Sequence, residues 1–183
     1  FELLTCAALL HFKKKGVDIA LIETGMGGLL DSTNVITPFV SVIPSIALEH
    51  TNFLGNTLTD IARHKAGIIK QGVPVVIGNL PPEALAVITE TATAKEANLL
   101  MLDTDFVVKD DSYVYGNLKL NTLERKMIGE HQAHNMALAI TTFVLVAERL
   151  VIQLNEEAIK KGVANATLAG RFEEVLPSVY FDG

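Results

Sequence analysis

Residues 18–34 read DIALIETGMGGLLDSTN, and this stretch decides the fold. Four consecutive apolar residues, Ile19, Ala20, Leu21 and Ile22, predict a strand over 17–23 covered on both faces, as in parallel sheets flanked by helices. Glu23 closes that strand. Gly25, Gly27 and Gly28 follow it, so the backbone there can approach a ligand with no Cβ in the way. Ligands of open α/β sheets collect outside the carboxyl ends of the strands, which makes this acid-and-glycine turn a candidate site. A plain strand-to-loop turn, its acid hydrogen-bonding the turn backbone, fits the same residues.

Working outward, residues 1–15 predict a helix with Phe1, Leu4, Ala8 and Phe12 on one face, Lys13 to Lys15 at its C-terminus and Gly16 stopping it. A second strand over 39–46 is interrupted by Pro44 and leads to Glu49 and His50. Leu58, Ile61, Ala62 and Ile68 have helical spacing within 57–70, with Thr57 or Thr59 as N-cap and Gly72 beyond the end. A third strand over 73–78, a helix opened by Pro81 and Pro82 and running to about Ala97, and a fourth strand over 99–102 complete a β-α-β-α-β rhythm, the mark of a parallel sheet. Short runs at 106–108, 113–115 and 118–120, around Asp110-Asp111 and Gly116-Asn117, predict a small antiparallel accessory sheet. Met136, Ile140, Val144 and Ala147 stripe a helix over 131–150, and Asn155 caps another that ends near Gly162. A strand over 179–182 follows Pro177, with a domain boundary expected near Gly170.

Composition narrows the classes. A chain of 183 residues with 49% hydrophobic content can bury a full core, which predicts a soluble globular α/β protein. The net charge of −6, with Lys and Arg scattered, argues against nucleic-acid binding, which needs a clustered basic face. Cys6 has no second cysteine to pair with, so a reducing, cytoplasmic setting is expected. The lysines at 13–15 follow the first apolar run instead of preceding it, unlike a signal peptide. No run approaches the roughly 18 apolar residues of a membrane span.

Three reactive groups fall near element ends in the same half of the expected sheet. Glu23 and His50 together offer oxygen and nitrogen to a divalent cation, though on its own His50 reads first as a loop histidine. Lys65, in HKAGIIK, reads first as a solvated lysine; burial or nearby cations would lower its pKa, and a neutral amine can add carbon dioxide to become an anionic carbamate that holds a cation. Gln132 and Asn135 lie one helical turn apart, so their amides can share a purine edge or stand as ordinary surface polars. Arg171 after Gly170 could reach a phosphate, and Asp182 before Gly183 ends the last strand.

In this order, FELLT, IETGMGGLLDSTN, LEH followed by LG, HKAGIIKQGVPVV, GEHQAHN and GRFE resemble the folylpolyglutamate synthase and dihydrofolate synthase family, a branch of the Mur ligases. The resemblance implies a Mur-ligase-type central ATP-binding domain over 1–170, incomplete at its N-terminus, with 171–183 as linker and first strand of a C-terminal domain. It implies a cytoplasmic, monomeric enzyme of folate and one-carbon metabolism that uses ATP and Mg2+ to join glutamate to folate or dihydropteroate through an acyl phosphate. It further implies that Glu23 and His50 ligate magnesium, that Lys65 is carbamylated, that Gln132 and Asn135 lie beside adenine, and that Arg171 and Asp182 contact the nucleotide. The chain departs from the family in Leu29, where arginine is common, and Glu49, where aspartate is common. A Gly-rich P-loop ending in Lys-Ser or Lys-Thr is absent from the 183 residues, so the chain alone is expected not to turn over. The rival readings are another Mur-type amino-acid ligase, a non-catalytic nucleotide-binding domain and, third, a dinucleotide-binding oxidoreductase, which the incomplete G-x-G-x-x-G disfavours.

Overall fold

A computed structural model of the chain describes residues 1–127, 129–170, 173–176 and 179–181. Three strands, β1 (Ser41–Ile43), β2 (Val75–Ile77) and β3 (Leu99–Met101), form a parallel sheet in that order. The helices α3 (Leu58–Ala66) and α4 (Pro82–Ala94) make the two crossovers that parallel pairing requires. The chain divides into two compact units within β2, the first comprising Phe1–Val75 and Leu80–Asn98, the second Val76–Asn79 and everything from Leu99.

In the first unit, α1 (Glu2–Lys15) ends where predicted, Gly16 taking the left-handed conformation at φ 64 and its N–H bonding the Lys13 and Phe12 carbonyls. No residue of α1 is buried, and Leu3 is 86% exposed. Apolar residues at 3, 4, 7, 8, 9, 10 and 12 surround the helix instead of gathering on one face, so no single side is selected for burial. The strand expected over 17–23 is also missing, with Leu21 92% exposed. An apolar run becomes a strand only when a ladder partner takes up its N–H and C=O groups, and the sheet of β1, β2 and β3 does not extend to this segment.

The glycine-rich stretch does pack. Gly28 is buried, and the Leu29 N–H donates to the His64 carbonyl at 2.8 Å, laying the loop on the last turn of α3. The same contact shortens α3. That helix ends at Ala66 with Gly67 as its cap, not at Lys70, because Gly67 is where the loop backbone passes: a Cβ there would fall on Leu29 Cα. The other end is as read, with Thr57 Oγ1 accepting from the Asp60 N–H at 3.1 Å. A short helix α2 (Thr51–Leu54), not foreseen, precedes it. Strand β1 is only three residues long, since Pro44 has no N–H to extend the ladder. Ile61, Ala62 and Ala66 of α3 and Ala84, Ile88 and Ala92 of α4 are buried where the two helices pack, the α4 set recurring every four residues.

In the second unit, β4 (Phe106–Lys109), β5 (Ser112–Tyr115) and β6 (Leu118–Leu120) form the expected antiparallel meander, with Val107 opposite Val114 and Tyr113 opposite Leu120. Phe106, Tyr113 and Leu120 are fully buried. Against β4 packs α5 (Glu130–Leu150), whose stripe Met136, Ile140, Val144 and Ala147 is buried as predicted. Inside this core the hydroxyls of Tyr113 and Thr141 share a 2.8 Å hydrogen bond, and Thr141 also donates to the Ala137 carbonyl at 2.8 Å. Asn155 caps α6 (Glu156–Asn165), which continues three residues past Gly162. Strands β7 (Glu173–Leu176) and β8 (Val179–Phe181) pair antiparallel. None of the helices among the described residues is long and apolar enough to cross a membrane.

Candidate functional site

The candidate residues fall into two groups, one in each unit. In the first unit the glycine loop is shaped by Asp31, whose Oδ2 accepts from the Met26 N–H at 3.0 Å and whose Oδ1 accepts from the N–H and hydroxyl of Thr33. Partial burial works against the charged form of Asp31. The hydrogen bonds from Thr33, Met26 and Gly25 outweigh it and hold the carboxyl below its ordinary range. Asn34 then ties the loop to α3, its Nδ2 donating to the carbonyls of Leu29 (3.1 Å) and Gly67 (3.0 Å), while Lys70 Nζ donates to the Asn34 carbonyl at 2.9 Å.

Lys65 stands on the last turn of α3, next to this clamp, and its ammonium pairs with Glu49 Oε1 at 2.8 Å. Lys65 is only 21% exposed against 47% for Glu49, so the lysine is partly buried and not fully solvated, and it is paired with a carboxylate that was not assigned to it. The hydrogen bond from Lys65 holds the Glu49 carboxyl below its ordinary range; slight burial opposes this, and the charges of Lys65 and His50 add to it. His50 is exposed and sits in the left-handed region at φ 50, at the turn into α2. Glu23 is exposed, and its carboxylate makes no hydrogen bond or ion pair among the described residues. Among those residues no three His, Cys, Asp or Glu side chains converge as a metal site. A nearby cavity of about 270 Å³ is lined by Met26, Leu30, Asp31, Phe53 and His64 but by none of Glu23, His50 and Lys65.

In the second unit Gln132 and Asn135 face each other on the first turns of α5, Asn135 Nδ2 donating to Gln132 Oε1 at 3.3 Å. Both line a cavity of about 1120 Å³ walled by α5 and α6, with Met136, Ile140 and Phe143 among its apolar surfaces. A large apolar pocket with a few convergent polar groups has the usual build of a small-molecule site. Arg171 and Asp182 lie outside the described residues.

The reading from sequence missed three positioning groups. Asp31 was legible, since Asp followed by Ser-Thr-Asn is an Asx-turn pattern. Glu49 and Asn34 were not: their partners lie 16 and 33 residues away, and nothing local signals either contact.

The family model described as Mur ligase middle domain matches residues 2–143. Folylpolyglutamate synthase of Lacticaseibacillus casei is 40% identical over 194 residues, which cover 100% of this chain and 45% of that protein. Dihydrofolate synthase/folylpolyglutamate synthase of Bacillus subtilis is 38% identical, covering 100% and 45%. A solved FPGS-AMPPCP-folate complex superposes with a TM-score of 0.96 at 39% identity, over 98% of this chain and 47% of that one. The Mycobacterium tuberculosis folylpolyglutamate synthase complexed with ADP and AMPPCP gives a TM-score of 0.87 at 32% identity, over 100% and 44%. The chain thus spans a little under half the length of the relatives it matches. With its βαβ crossovers, its glycine loop seated on α3 and a match over most of its length, the chain belongs to the Mur ligase middle-domain family.

Proposed function

We propose that the full-length protein carrying this chain is an ATP-dependent ligase that adds glutamate to folate, to dihydropteroate or to both, and that this chain is its nucleotide-handling domain. The observation that carries the reading is the superposition on the FPGS-AMPPCP-folate complex at 39% identity, in the company of relatives named folylpolyglutamate and dihydrofolate synthase. ATP phosphorylates the acceptor carboxylate, and the glutamate amine displaces phosphate from the acyl phosphate through a tetrahedral intermediate. Residues 1–170 form the ATP-binding part and 171–183 lead into a C-terminal domain. The protein works as a cytoplasmic monomer.

Within this reading, the amides of Gln132 and Asn135 orient adenine in the cavity beside α5, each offering a donor and an acceptor. Arg171 and Asp182 complete the nucleotide contacts. Magnesium is held by one or two protein groups together with substrate phosphates, and an exposed Glu23, unpaired among the described residues, with an exposed His50 fits that sparse demand. Bound there, the ion would screen the charge that builds up in phosphoryl transfer. Lys65 becomes a carbamate: its ammonium must leave Glu49 and give up a proton to solvent, and the neutral amine then adds carbon dioxide with loss of a second proton.

The test is ATP- and magnesium-dependent incorporation of labelled glutamate by the full-length protein, with dihydropteroate and a reduced folate offered separately. Incorporation into either supports the ligase, and the acceptor used names the activity. No incorporation in a protein that binds ATP refutes it and favours a different Mur-type acceptor or a non-catalytic nucleotide-binding role. Lys65→Ala should abolish most of the activity while leaving the fold intact; full activity in that variant would refute the carbamate.

A further inference from the structure

We infer that Asn34 is a positioning residue of the magnesium site, its carboxamide fixing the turn that follows Glu23 to the end of α3 from which Lys65 extends; this rests on the reading of Glu23 and Lys65 as groups that serve that ion. Asn34 Nδ2 donates to the Leu29 carbonyl at 3.1 Å and to the Gly67 carbonyl, 33 residues along the chain, at 3.0 Å. A carboxamide nitrogen has two hydrogens, so each carbonyl takes one and the donor is fully used. Two carbonyl oxygens around one terminal atom also settle which end of the amide faces them, since its oxygen would be repelled there.

The bridge is one link of a continuous path inside the first unit. Glu23 lies two residues before Gly25, where the turn closed by Asp31 begins. Asp31 Oδ2 accepts from the Met26 N–H, and the Asn34 N–H donates to the Asp31 carbonyl at 2.9 Å. On the helix side, a Cβ on Gly28 would come within 2.7 Å of the His64 carbonyl oxygen and 3.2 Å of that of Lys65. The loop backbone therefore runs directly over the turn from which the Lys65 side chain leaves. Asn34 locks it there, because its one side chain holds the loop at Leu29 and the cap of α3 at Gly67. Magnesium demands near-octahedral geometry at about 2.0–2.1 Å, so a loop shift of a fraction of an ångström is felt at the ion.

The experiment is titration of the full-length protein with Mn2+ in the presence of AMPPCP, free Mn2+ being read by its electron paramagnetic resonance signal, for wild type, Asn34→Ala, Asn34→Asp and Thr57→Ala. Mn2+ suits the same oxygen ligands as magnesium. Losing a group that orients ligands predicts a Kd for Mn2+ raised about tenfold or more in Asn34→Ala, together with faster amide exchange over residues 26–31. Asn34→Asp sets an acceptor against two carbonyls and should move the same way; it decides the matter if the alanine variant does not fold. Thr57→Ala weakens α3 at its other end, away from the loop, and should leave the Kd unchanged. Wild-type Mn2+ affinity in either folded Asn34 variant overturns the assignment, as does an equal loss in Thr57→Ala, which would make the effect one of stability alone. A wild-type protein that takes up no more Mn2+ than AMPPCP does by itself would instead sink the magnesium-site reading, and the positioning role with it.

Discussion

Replacing Gly67 by alanine tests the seating of the glycine loop on α3 with a single methyl group. Gly67 has φ −59 and ψ −18, ordinary helical values, so backbone strain is not in play and propensity alone would favour alanine by about 1 kcal/mol. Against this, the new Cβ would fall on Leu29 Cα and come within 2.5 Å of Leu29 Cβ and 2.7 Å of its N, where carbon contacts normally sit at about 3.5–4.0 Å. The obstacle is mostly backbone, so no rotamer change relieves it. Overpacking of this kind costs about 1–3 kcal/mol, and pushing the loop off its seat also stretches the 2.8 Å bond from Leu29 N–H to the His64 carbonyl, worth about 1 kcal/mol. The balance is a loss of about 2 kcal/mol. Gly162→Ala is the control: it lies inside α6 with nothing within 4 Å of the added Cβ, and should gain up to about 1 kcal/mol. Urea unfolding followed by far-UV circular dichroism reads both, the chain having no tryptophan to report by fluorescence. If Gly67→Ala is as stable as the wild type while Gly162→Ala gains, the loop does not lie on α3.

Thr57→Ala should lower stability by about 1 kcal/mol through loss of the α3 cap, with Thr57→Ser restoring most of it; equal unfolding midpoints for all three would refute the cap. Thr141→Val removes the hydroxyl that partners the buried Tyr113 phenol and should cost about 1–3 kcal/mol, and adding Tyr113→Phe should cost less than it does alone, as a thermal double-mutant cycle would read. Burial, opposed by the bond to Thr141 and aided by Tyr115, pushes the Tyr113 phenol far above its ordinary 10.0, and burial with the charges of Glu148 and Asp105 raises Tyr115 as well. The folded state therefore holds these protons more tightly than the unfolded chain. Their contribution to stability is complete below about pH 10 and is lost as pH climbs towards the folded values. An absorbance titration should show tyrosinate appearing together with alkaline unfolding; reversible ionisation of all three tyrosines near pH 10 in a protein that stays folded would contradict it.

Sequence alone determined whatever is set by neighbours a few residues apart. Gly16, Thr57 and Asn155 act on backbone groups of their own turns, and the stripe from Met136 to Ala147 recurs at the helical period, so these elements stand where the residues placed them. The hairpin sheet was legible for the same reason, its strands pairing across short connections. Tertiary structure decided the rest. The residues at 19–22 have the composition of a buried strand, but a strand is completed by its partners, and they are not part of the hydrogen-bonded sheet of β1, β2 and β3. The end of α3 was set by the approach of a loop 38 residues earlier in the chain, Leu29 against Gly67, which no periodicity records. Lys65 met Glu49, and Arg125 was left with a buried unpaired nitrogen, for the same reason: side-chain partnership depends on distance in space, which the chain acquires only by folding.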